Sequence, residues 1–266
     1  MTSHRCYDKG DPLPEGYREA LVQLMSFQAD SEYAGAQRLT ENQRFVTRPE
    51  EAQRLSKKIF EEISHAYAMW MLLQDLGVDV DARVAELARN PTDPDQEAVS
   101  VISLFQRHNW QHYFECWEDV ALYSLICAPA TVIYLSQYQN CSYLPWARAS
   151  VRIHKEEHGH LTFGIWAVTR CLAHGDEATH EFMQQRSGRF IQLGLDFFGR
   201  PSSGPGKSRS FETYKEFGLK VRCPEDLQAE YLEVVESRLR ACRVGFSRDE
   251  SLPSIRHLQS QAVAGF

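Results

Sequence analysis

Apolar residues recur at intervals of three and four along most of this chain, while the strict alternation of a half-buried strand and the Asn-Gly or Asp-Gly turns of hairpins are missing. The pattern predicts an all-α protein. Leu21, Leu24, Met25 and Gln28 mark one side of a first long helix, from about Glu15 to Leu39, and a second runs from about Pro49 to Leu76, closed by Gly77. A polar stretch, Arg89-Asn90-Pro91-Thr92-Asp93-Pro94, follows, and further helix leads into a third long element from about Trp110 to Gln137. A fourth starts after Pro145 and ends near His174, before Gly175. Beyond the loop RPSSGPGKSRS (200–210), two shorter helices are expected at about Phe211–Phe217 and Pro224–Cys242. Residues 1–246 are read as one helical domain and 247–266 as a loosely held tail.

The longest apolar run, Val120 to Leu135, is shorter than the roughly 20 residues of a membrane span and is interrupted by Ser124, Pro129 and Thr131. It suits the centre of a bundle, so no membrane partner is expected. A formal net charge of −7 argues against a general affinity for nucleic acid. The amino end has no apolar run of the signal-peptide kind, and the seven cysteines are scattered without a C-x-x-C pair. A cytoplasmic location with reduced thiols is the expectation.

The chemistry lies in two similar stretches. KKIFEEISHAYAMW holds Glu62 and His65, and HKEEHGH (154–160) holds Glu157 and His160, each a carboxylate and an imidazole three residues apart. Residues so spaced share a helix face, so each pair can point together toward a bundle interior. A four-helix bundle that holds two metals uses this device twice and adds one carboxylate from each of its other two helices. A chain of this size should contain roughly one E-x-x-H by chance, so placement matters more than number. Both pairs fall mid-helix among apolar residues, where unpaired charge would cost several kcal/mol on order-of-magnitude grounds and metal coordination would remove that cost. A solvated charged face is the alternative. The antiparallel neighbour should offer a carboxylate about thirty residues before Glu62, and Glu32 lies there beside the small residues Ala29, Ala34, Gly35 and Ala36.

His154, Glu157 and His158 also spell H-x-x-E-H, a zinc-protease arrangement. That reading leaves Glu62 and His65 unexplained and wants a mixed scaffold. Otherwise His154 and His158 are surface groups or neighbours of the ligands, and Glu61 and Glu156 are polar-face residues or orienting partners.

The chain resembles a family, the oxygenase subunit of multicomponent phenylacetyl-CoA epoxidase. The similarity runs from about Gly16 to Cys242, through YREALVQLMSFQADSEYAGA, KKIFEEISHAYAMWMLLQDLGVD, WEDVALY, QNCSYLPWARASVRIHKEEHGHLTFG, LGLDFFGRP, FGLKVR and DLQAEYLEVVESRLRA. The KEE-x-x-H, CSY-x-P and FG-x-P surroundings are its more specific parts. The resemblance implies a ferritin-like four-helix bundle with additional C-terminal helices and a di-iron centre. Its metal ligands would be Glu32, Glu62, His65, Glu157 and His160, with the carboxylates of Glu32, Glu62 and Glu157 serving catalysis. The family's third-helix carboxylate falls on Ala128, followed by Pro129. Asp119, Glu118 and Glu115 are nine or more residues earlier, roughly 13 Å or more along the axis. Three carboxylates against two ferrous ions leave one charge for hydroxide or a substrate carboxylate, or a second ion held weakly. Pro129 removes a backbone hydrogen bond and should bend its helix.

The function so implied is a non-haem di-iron monooxygenase that uses O2 as co-substrate to place one oxygen atom on an organic small molecule, such as an aromatic acyl-CoA or a related aromatic compound. Electrons must come from a separate reductase, because no Gly-rich dinucleotide loop or iron–sulfur cysteine spacing is present. A related helical subunit or a second copy of the chain is an expected partner. The competing expectation is a non-catalytic structural subunit with a degenerate metal site, and iron storage in a hollow shell is a third.

Overall fold

Helix-forming signals are clearest at the start of the second helix, where Pro49 stands in the first turn with Glu50 and Glu51 behind it, suiting the fixed φ of proline and the positive end of the helix dipole. A computed structural model of the protein describes residues 4–88, 114–199, 202 and 210–245. These residues confirm an all-α architecture: among them only an isolated bridge between Tyr7 and Tyr143 has β character. The helices are α1 (Tyr17–Glu41), α2 (Pro49–Asp75), α3 (Val80–Ala88), α4 (Trp117–Ile126), α5 (Ala128–Ser136), α6 (Leu144–His174), α7 (Glu177–Asp196), α8 (Phe211–Glu216) and α9 (Pro224–Ala241). They divide into two units. Unit one holds the residues up to Trp117 and Ser142–Ala149, and unit two holds Glu118–Cys141 and the residues from Ser150 onward. The expected turn stretch at 89–94, the Trp110 start of the third element, most of the 200–210 loop and the tail at 247–266 lie outside the described residues.

In unit one, α1 and α2 form an antiparallel hairpin through the short 3-10 turn Asn42–Phe45. Arg18 near the start of α1 donates to the Leu76 carbonyl past the end of α2 at 2.9 and 2.6 Å, and Gln43 meets Ser56 near the opposite end. Gly77 closes α2 with φ +78°, a backbone conformation that favours glycine. Arg83 on α3 ties back to the buried Asp30 of α1 through a pair of hydrogen bonds. Burial raises the Asp30 pKa, and the Arg83 guanidinium opposes that rise. The CSY-x-P stretch ties the amino-terminal segment and α1 together. Tyr7 exchanges backbone hydrogen bonds with Ser142 and Leu144, Tyr17 Oη pairs with Ser142 Oγ at 2.7 Å, and Trp146 donates from Nε1 to Gln28 Oε1 at 2.8 Å. The first turns of α6 are thereby fixed against α1.

Unit two is built around the apolar element that the sequence predicts as one long helix. It is interrupted at Cys127 and continues as α5: Cys127 N–H still bonds the Tyr123 carbonyl, but Ala130 N–H reaches back only three residues, to Cys127. Pro129 has no N–H to give, which accounts for the break at this point. The stretch Trp117–Asn140 is long and apolar enough to cross a membrane by length and composition, yet 78% of its most apolar window is buried inside the protein, as in a core helix. A Cβ on Gly164 of α6 would lie 2.5 Å from the Ser124 carbonyl group and 2.6 Å from Leu125 N, so glycine lets two helix backbones touch. Helix α7 is absent from the elements that the sequence pattern predicts. It starts at an Asp176 cap that accepts from Thr179 N–H at 2.9 Å, and it presents Arg186 and Arg189 to the fully buried Asp119 of α4.

Two stability measurements test this packing. Gly164→Ala should lower unfolding free energy in urea by about 1–3 kcal/mol, because backbone atoms must separate to admit the methyl group. Asp119→Ala should cost about 3–5 kcal/mol, since two guanidinium groups lose their buried counter-ion.

Candidate metal centre

Glu32 on α1 and Glu62 and His65 on α2 come together in unit one as the helical spacing and the antiparallel hairpin require. Their candidate ligand atoms, one from each side chain, lie within 4.8 Å of one another. All three residues are buried, at 5%, 9% and 1% exposure, and His65 Nδ1 stands 3.7 Å from Glu32 Oε2. Ligands on opposite sides of one ion, each at about 2.1 Å, would be about 4.2 Å apart, so a contraction of a few tenths of an ångström suffices. Two carboxylates and one imidazole form a donor set that suits a divalent first-row metal. This Glu/His group could therefore hold a metal ion.

Sequence reasoning missed Lys58. It lies one turn before Glu62, is itself 4% exposed, and places its Nζ 3.3 Å from Glu62 Oε1. The i,i+4 spacing of Lys58 and Glu62 was the available signal, but such pairs usually decorate a wet helix face. Glu61, on the other side, does behave so: it pairs with the exposed Lys57 at 3.1 Å.

In unit two, Glu157 and His160 are each 1% exposed, and His160 Nδ1–H donates to Glu157 Oε2 at 3.0 Å. The second E-x-x-H pair thus faces inward as a unit. His154 and His158 lie on the outer side of the same helix, with His158 Nδ1 bonded to the His154 carbonyl at 2.8 Å. Burial, and secondly the neighbouring His158 ring, lower the His154 pKa. Glu157 of the H-x-x-E-H motif is thus buried and bonded to His160 while His158 is exposed, which does not suit a protease site built on the three.

Ala128 is buried at the head of α5. Asp119, the only buried member of the three upstream acids, is taken by Arg186 Nε at 2.9 Å and Arg189 Nη2 at 2.7 Å. It serves packing, and it offers no substitute for a carboxylate at position 128.

The described residues thus define a helical protein with a buried carboxylate–imidazole group able to hold a metal. The chain belongs to the phenylacetic acid catabolic protein family, whose sequence pattern matches residues 1–254. It is similar to one subunit of the 1,2-phenylacetyl-CoA epoxidase of Escherichia coli (strain K12), with 26% identity over 208 residues. That similarity covers 75% of this chain and 61% of the relative, so the chain spans less than two thirds of the relative's length. The resemblance read from the sequence is borne out.

Lys58 gives the group a direct test. In chelator-treated protein, Lys58→Met should lower stability by about 3 kcal/mol or more, because Glu62 stays buried while that cation is gone. Adding a divalent metal should restore most of that loss in chemical denaturation, whereas a Lys58 that serves only packing would give a loss that metal does not reverse.

Proposed function

We propose that this chain is a non-haem di-iron monooxygenase of ferritin-like build, with Glu32, Glu62, His65, Glu157 and His160 as its metal ligands. The observation that carries the reading is the buried group of Glu32, Glu62 and His65, with ligand atoms inside 4.8 Å. The inward pair Glu157–His160 repeats its motif. Joining the two as one centre rests on the family resemblance and on the E-x-x-H motif that both share.

Iron bound by these ligands would supply the activation of O2, one atom of which enters the substrate while the other leaves as water with two electrons and two protons. The chain's own groups orient and neutralise. His65 and His160 present Nδ1 atoms that already face carboxylate oxygens, and Lys58 Nζ lies 3.3 Å from Glu62 Oε1. Three carboxylates fall short of the charge on two ferrous ions, the buried Lys58 ammonium adds to that excess, and Ala128 stands where a fourth carboxylate is expected. An anionic substrate group or hydroxide fits that balance. The electrons come from a separate reductase, and the substrate is an aromatic acyl-CoA or a related aromatic compound, in keeping with the phenylacetyl-CoA epoxidase to which the relative belongs. A related helical subunit or a second copy completes the assembly.

Ala128 also favours a second reading, a non-catalytic subunit with a degenerate site. Metal analysis after iron-supplemented expression separates the two. About two irons per chain are expected, falling in Glu62→Gln and Glu157→Gln variants. Iron-free wild-type protein would overturn the oxygenase reading.

A further inference from the structure

The outer face of α6 carries a pair of imidazoles that the buried group does not use. His154 is half-buried and His158 is exposed; they stand four residues apart, with ring centroids separated by 4.7 Å and planes inclined at 67°. Two histidines so spaced on one helix face are a chelating arrangement for a divalent transition metal. The hydrogen bond at His158 decides its tautomer. Its Nδ1 lies 2.8 Å from the His154 carbonyl, which can only accept, so Nδ1 carries the hydrogen and Nε2 of the neutral ring bears the lone pair. The His158 carbonyl is itself engaged, accepting from Thr162 Oγ1 at 3.2 Å, which ties down the helix turn that carries the ring. Neighbouring Val151 is 51% exposed and Lys155 is also exposed, so solvent reaches this side of the helix. Glu157, one turn from His154, is buried and accepts from His160 Nδ1–H, so it is not part of the exposed pair.

We infer that His154 and His158 form a surface chelate for a borderline divalent ion such as Zn2+, separate from the buried carboxylate–imidazole group. Nitrogen ligands sit at about 2.0–2.1 Å from zinc. Two protein ligands leave about two tetrahedral positions to water or to donors from another molecule, so the site is open rather than sealed.

The test is calorimetric titration of the full chain with zinc chloride, after chelator treatment, in a Glu62→Gln/His65→Ala background that disables the buried group. One zinc-binding event should persist there. Adding His154→Ala or His158→Ala should weaken it by about tenfold or more, since one of only two protein ligands is lost. Zinc binding that neither substitution changes, or no binding, overturns the inference. The wild-type chain gives a reading independent of that background's folding: zinc should shift the ring resonances of both His154 and His158 in NMR spectra, and unshifted rings would reject the site. Iron content reports on the buried group alone, so the oxygenase reading and this one fail separately.

Discussion

Carboxylates and imidazoles taken out of water must be compensated where they stand, and that requirement shapes both units of this protein. Glu32, Glu62 and His65 in unit one, and Glu157 and His160 in unit two, are almost wholly buried. Hydration lost on burial has to be replaced by partners at bonding distance. Lys58 does this for Glu62, and His160 does it for Glu157. Such groups are poor choices for stability alone, since apolar residues of the same volume would fill the space without a desolvation penalty. A divalent metal held by these groups would offset that penalty.

The scaffold around them relies on close helix contacts held at specific points. Gly164 lets α6 lie against the backbone of Ser124, and Gly194 leaves room for the Tyr231 ring, whose hydroxyl would be 2.0 Å from an added Cβ. Asp119 holds two arginines of α7 and so fixes α4 against that helix. The same constraint explains why Asp119 does not serve a metal. In unit one, Trp146 and Ser142 anchor the start of α6 to α1.

Position 128 is where the chain departs from the pattern its resemblance implies. The break at Cys127 and Pro129 places Ala128 at the head of a new helix, among apolar neighbours. If two divalent ions are held as proposed, an alanine there in place of a carboxylate would lower the negative charge facing them and favour an anion from outside.

Much of this was legible along the chain, because helix ends and helix faces are local properties. Pro49 and Gly77 mark ends by what their backbones can and cannot do, and the three-residue spacing of Glu62 with His65 and Glu157 with His160 puts each pair on one face whatever surrounds it. Helix α7 escaped notice because its stripe of Met183, Phe190, Ile191 and Leu195 is diluted by polar residues, although the cap at Asp176 was a usable sign. Tertiary structure alone decided which charges are inside. Lys57–Glu61 and Lys58–Glu62 have identical spacing, yet one pair lies at the surface and the other is buried, and Asp119 finds its arginines across roughly seventy residues of chain. Burial depends on what packs against a helix face, and no local pattern contains that.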